Sequence, residues 1–145
     1  MYYGKENGNI PVVNHLYPGV MTIDDFYHVL KEVWCAETCT PRMRDQWSAE
    51  NLTLGQCSIT SFLVQDLFGG EVYGIPLNDG NYHCFNCING KDIDLTSEQF
   101  SDEELVYTHA YPQARDAHFA KTEKYQRYLL LQKKMREKTG GAGDD

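Results

Sequence analysis

The sequence predicts an α+β fold: a central helix with a cysteine at its N-terminus, packed on a small antiparallel β-sheet. Three observations predict it. The stretch "QCSITSFLVQDLFGG" is an apolar run at helical spacing, closed by Gly69-Gly70. Three strand-like runs follow, "EVYGIPL", "NYHCFNCI" and "KDIDLT". Asn89-Gly90 joins the last two and is the strongest short hairpin signal available.

Each element has its own local reason. Residues 1–20 read as an irregular lead-in, broken by Gly4, Gly8, Pro11, Pro18 and Gly19. A first helix starts at "TIDDFYHVLKEVW", with Thr22 as N-cap and Asp24 and Asp25 in the first turn. Phe26, Val29, Leu30 and Val33 repeat there at helical spacing. "CAETCTPRMRDQWSAENLTLG" reads as a polar loop flanked by Trp34 and containing Trp47, which is a candidate for the wall of a cleft or for the core. The central helix carries its stripe on Ile59, Phe62, Leu63 and Leu67. After the strands, Thr96 to Gln99 and Ser101 to Glu104 match the capping-box pattern, so short helical turns are expected. A long polar helix is predicted over about residues 113–138, with Tyr125, Tyr128, Leu129 and Met135 as its buried stripe. The reading is one α+β domain over residues 1–138 and a disordered tail over 139–145.

Composition excludes several function classes. Of 145 residues, 41% are hydrophobic and 12% aromatic, ordinary for a folded chain and too apolar for a disordered one. The net charge of -8 argues against bulk nucleic-acid binding and against attraction to an anionic membrane. No apolar run approaches the roughly 20 residues that span a bilayer. The polar start "MYYGKENGNIPVV" has no signal-peptide core, so a cytoplasmic location is expected. Five cysteines, an odd number, argue against a disulfide framework.

The chemistry-bearing residues follow from the hairpin. A two-residue turn at Asn89-Gly90 sets Ile88 opposite Lys91, Cys87 opposite Asp92 and Phe85 opposite Asp94. His83, Phe85, Cys87, Asp92, Asp94 and Thr96 then share one face. Asp94 becomes a diagonal neighbour of His83, at roughly 7 Å between Cα atoms. Cys57 opens the central helix, where the dipole and free N–H groups favour a thiolate. A histidine completes the ion pair or acts as base, and a carboxylate behind it fixes the imidazole. The Cys57 N–H, with the side chain of Gln56 or Asn51, would stabilise an oxyanion.

Each of these residues has a plainer reading. Cys57 alone is a buried helix thiol, His83 alone a satisfied strand histidine, and Asp94 a cap for the following turn. Cys84 and Cys87 point to opposite faces of a regular strand, and no metal site is expected from them or from Cys35 and Cys39. From Lys121 to Lys138 there are seven Lys or Arg against two Glu, read as the solvated basic face of an amphipathic helix.

"NLTLGQCSITSFLVQDLFGGEV" and "HCFNCINGKDIDLTSEQF" resemble the YunG-like family of small bacterial proteins. The resemblance runs from about Trp34 to Phe100, with a weaker echo in the C-terminal helix. Cysteine on a helix, then histidine and aspartate on successive antiparallel strands, is also similar to papain-like and transglutaminase-like thiol enzymes. That likeness implies a papain-like fold, with Cys57, His83 and Asp94 as a catalytic triad. One departure is Cys84, where an aromatic is expected after the histidine. Its register points it to the opposite face, as a packing change.

The expected function is a cysteine hydrolase or acyl transferase acting on an amide bond through a thioester, of peptidase, amidase, deamidase or transglutaminase type. Its substrate is expected to be a protein or peptide, bound by the loops 36–54 and 74–82. The chemistry needs no cofactor. The alternative is a non-enzymatic protein-interaction module on the same fold.

Overall fold

The computed structural model describes residues 1–100 and 105–140. Its order is α1 (Ile23–Val33), α2 (Cys57–Phe68), β1 (Glu71–Pro76), β2 (Tyr82–Ile88), β3 (Lys91–Ile93), β4 (Tyr111–Pro112), α3 (Arg115–Phe119) and α4 (Thr122–Thr139). The four strands form one antiparallel sheet in the order β3-β2-β1-β4. The protein is α+β.

Helix α1 starts where expected. The Thr22 side chain accepts from the Asp25 N–H, and Asp25 returns a bond to the Thr22 N–H. Its buried face is Ile23, Phe26, Tyr27, Leu30 and Val33. The loop before α2 holds two short 3-10 turns, Ala36–Thr38 and Pro41–Gln46. Gly55 lets this loop close. Its φ is +70°, and a Cβ there would lie 2.5 Å from the Cys39 Sγ.

Helix α2 is buried along most of its length and lies against β2. Asn86 donates from Nδ2 to the Ser61 carbonyl at 2.8 Å, fixing the helix over the strand. Asn89 (φ 53°) and Gly90 (φ 77°) supply the two positive φ angles of the hairpin turn. The observed pairs are Ile88 with Lys91, Cys87 with Asp92 and Asn86 with Ile93, the expected register.

Two expectations change. The C-terminal helix is two helices, because the chain turns at Ala120-Lys121 between α3 and α4. The residues α4 buries are Arg127, Tyr128, Leu131 and Met135, whereas Tyr125 and Leu129 are exposed. The stripe is rotated because α4 packs on both α1 and α2, and Leu131 is fully buried. The lead-in is irregular but attached: Tyr2 is buried, and Tyr3 pairs with Asp94 across an isolated bridge.

Ser97–Phe100 forms a 3-10 turn after the sheet. The capping-box pattern over Ser101 to Glu104 lies outside the described residues, as does the tail from residue 141. No helix among the described residues is long and apolar enough to cross a membrane. All five cysteines are free thiols.

Candidate active site

Cys57 is the first residue of α2, so its own N–H and those just after it lack partners within the helix. No side chain caps them: Gln56 at the N-cap makes no capping bond. The partly buried Cys57 thiol sits against β2, with the Tyr82 carbonyl 3.9 Å from Sγ.

His83 and Asp94 are each 1% exposed, and His83 Nε2 lies 2.7 Å from Asp94 Oδ2. Register explains the contact. His83 and Asp94 project from the same face of the hairpin, and the diagonal distance closes through their side chains. Asp94 also accepts from the Thr96 N–H at 3.2 Å, the Thr96 hydroxyl at 3.3 Å and the Tyr107 hydroxyl at 2.8 Å. It therefore both caps the turn and holds the histidine. Phe100 packs edge-on against the His83 ring. With Nε2 engaged on Asp94, Nδ1 is the ring nitrogen left for Cys57.

The electrostatics favour charge separation. Cys57 is held well below the ordinary thiol range, first by a hydrogen bond from Cys84, against burial, and then by the hydrogen bond and charge of His83. His83 is raised to about 10: burial opposes its charge, and the Asp94 carboxylate and the Cys57 thiol outweigh burial. Cys84 moves the opposite way, well upward, through its bond to Cys57 and its burial. Of the two neighbouring thiols, Cys57 is the one whose ionisation is favoured.

Cys84 is part of the buried core and also bears on the charge of Cys57. The residue does face α2, away from His83, but the start of α2 brings Cys57 within its reach. Strand register predicts the facing and carries no information on where along the strand the helix begins.

The two candidate oxyanion donors are not placed together with the thiol. Gln56 is fully buried, and its Nε2 donates to the Cys35 carbonyl at 3.0 Å. Its backbone is in the helical region at the N-cap, which turns the side chain back toward the preceding loop. Asn51 lines a different surface cleft, beside Tyr3 and Glu50. The Cys57 N–H is the donor that remains at the sulfur. Trp47 donates to the Leu52 carbonyl at 3.0 Å and is not part of the wall around Cys57.

The cleft around Cys57 and His83 draws its walls from both expected loops, with Met43 and Leu54 from one and Leu77 and Asn81 from the other. The start of α4 closes it with Lys121 and Lys124, and the adjacent His118 lies on the same wall. Lys124 Nζ is 2.8 Å from His118 Nδ1, and His118 Nε2 is 2.8 Å from Gln113 Oε1. His118 is lowered to about 4, first by burial and then by the Lys124 charge. Neutral His118 therefore accepts from Lys124 and donates to Gln113. Sequence reasoning missed Tyr107, Cys84, His118 and Lys124. Each meets the site through a contact between distant elements. The excess of cations in the C-terminal helix was the one visible signal.

Among the described residues, no group of three or more His, Cys, Asp or Glu side chains is arranged to hold a metal ion.

The family model described as "YunG protein" matches residues 22–140. A curated relative, "Uncharacterized protein YunG" of Bacillus subtilis (strain 168), is 35% identical over 101 residues. That alignment covers 68% of this chain and 81% of the relative. No solved structure matches.

Proposed function

The chain belongs to the YunG protein family, and we propose that it is a cysteine hydrolase or acyl transferase acting on an amide bond of a protein or peptide. The observation that carries the reading is the chain of contacts from a thiol at a helix start, through His83, to the buried carboxylate of Asp94 at 2.7 Å. The likeness to papain-like enzymes is proposed at that level: cysteine on a helix, histidine on a strand, aspartate at the end of the next.

In this reading the Cys57 thiolate attacks the amide carbonyl carbon. The S–C bond forms, the C–N bond breaks, and the proton of the His83 imidazolium passes to the departing amine. The Cys57 N–H donates to the oxyanion. Water or an amine then gives its proton to His83 and attacks the thioester. The acid or new amide leaves, and the thiolate returns. Asp94 keeps the imidazole oriented and supports its positive charge.

The test is the pH dependence of Cys57 alkylation by iodoacetamide in the wild-type protein, read at each cysteine by mass spectrometry. A midpoint well below about 8.5 that moves up in His83→Ala supports an ion pair. A normal midpoint, indifferent to His83, refutes it and favours an interaction module without a reaction.

A further inference from the structure

The lining of the cleft carries charge that the proposed reaction leaves unused. Five charged side chains line the cleft: Arg42, Lys121, Glu123, Lys124 and Arg127. Three of them are accounted for. Arg127 pairs with Glu123 at 2.6 Å and donates to the Thr38 carbonyl at 3.2 Å. Arg42 pairs with Asp79 at 3.2 Å. Lys121 and Lys124 have no carboxylate partner among the described residues, in a chain whose net charge is -8.

Lys124 is also positioned. Its ammonium is half-buried and spends one N–H on His118 Nδ1 at 2.8 Å. His118 is itself fixed by Gln113 and by packing on Phe62. Holding an ammonium out of water without a carboxylate is costly, and burial lowers the pKa of Lys124 accordingly. The thiols of Cys84 and then Cys57 act on it in the opposite sense, and in the proposed reaction Cys57 is the one of the two that carries charge. Acylation removes that charge, because a thioester is neutral. Once the acyl group is in place, a carboxylate on the donor is an anion that the two lysines can take.

Resting on the reading above, we propose that the cleft takes an acyl donor bearing a carboxylate beside the bond to be attacked, such as an acidic peptide, with Lys121 and Lys124 receiving that carboxylate. Two monovalent ammonium groups on one wall attract an anionic group and orient it. A neutral donor of the same size gains nothing from them.

Two alkylating probes of nearly equal size, iodoacetate and iodoacetamide, test this directly. In each the Cys57 sulfur displaces iodide from the methylene carbon, and only iodoacetate carries a carboxylate. The readout is the ratio of their rates at Cys57, divided by the same ratio for a small neutral thiol. Taking a ratio cancels the fraction of thiolate. It is therefore readable even if Cys57 has an ordinary pKa, and the two proposals fail separately. The expected ratio is about fivefold above the reference at low salt, on the order of one charge pair near a protein surface. It should fall at about 0.5 M NaCl. It should drop toward the reference in Lys121→Gln/Lys124→Gln. Lys121 is exposed, so Lys121→Gln alone tests the same point without disturbing packing, and should lower the ratio part-way. A ratio equal to the reference overturns the proposal. So does a raised ratio that the lysine variants leave unchanged. A shift of the midpoint for both reagents with no change in their ratio also overturns it, because the lysines would then serve the thiolate alone.

Discussion

Asp94 is almost completely buried, and its four hydrogen bonds explain why a carboxylate is tolerated there. Two come from the local turn through Thr96, and two reach across the fold to His83 and Tyr107. The Tyr107 hydroxyl is pushed upward by burial and by Asp94, so it remains a donor throughout the physiological range. Tyr107→Phe should cost about 1 kcal/mol in urea unfolding. Losing that donor concentrates the carboxylate on His83, so the His83 midpoint read by NMR should hold or rise. A fall would contradict the contact. The ion pair itself has a pH signature. His83 is raised, so its contribution to stability is complete below about 6.5 and fades as pH climbs through about 10. Cys57 is depressed, so its contribution is complete above 9.0 and is lost as pH falls through its lowered value. Between pH 7 and about 9 the two changes offset each other, because the folded pair holds on His83 the proton that the unfolded chain holds on Cys57; from about 9 to about 10 the thermal midpoint of the wild type should fall as His83 loses its proton, a decline that His83→Gln should lack. Equal slopes would mean that His83 is not charged in the folded protein.

At the scale of elements, what was legible was whatever has a local code. The Thr22 cap, the Asn89-Gly90 turn and the alternation along β2 are each written in a few adjacent residues, and the last two bring His83 to Asp94. Gln56 and Asn51 stand close to Cys57 in sequence, yet neither reaches the cleft. Adjacency along the chain does not fix the direction of a side chain at a helix start. The orientation of α4 was likewise hidden, because its polar sequence supports more than one apolar stripe and only packing on α1 and α2 selects among them. Two substitutions separate the stripes. Leu131→Ala, at a fully buried position, should destabilise by about 2–5 kcal/mol. Leu129→Ala, at an exposed one, should cost less than about 0.5 kcal/mol. Chemical denaturation of the two variants reads the difference, and equal costs would restore the stripe expected from sequence. Gly55 shows the same dependence on surroundings. Its positive φ and its approach to Cys39 together should make Gly55→Ala cost at least about 1–2 kcal/mol in the same assay.

At the scale of the whole molecule, the site depends on a segment that carries no periodic signal. The lead-in was read as irregular because nothing in it repeats, and its hold is made by backbone bonds and single aromatic rings. Tyr2 is buried against Tyr27, with ring centroids 4.6 Å apart, and its hydroxyl donates to Asp24. The Tyr3 N–H donates to Ser97 Oγ at 2.9 Å, and the Tyr3 carbonyl accepts from the Asp94 N–H at 3.0 Å. The Tyr3 ring stacks on Tyr107 with centroids 4.0 Å apart. The first residues therefore brace both Asp94 and one of its donors, Tyr107. Removing residues 1–3 should lower stability by on the order of 4 kcal/mol, the cost of losing one buried aromatic. It should also raise the Cys57 alkylation midpoint, because a less constrained Asp94 supports the imidazolium less well. Tyr3→Ala keeps the backbone bonds and loses only the ring, so it should lower stability while moving the thiol midpoint less than the deletion does. If the deletion costs stability and leaves the midpoint unchanged, the lead-in is packing alone and Asp94 is held entirely by its own turn.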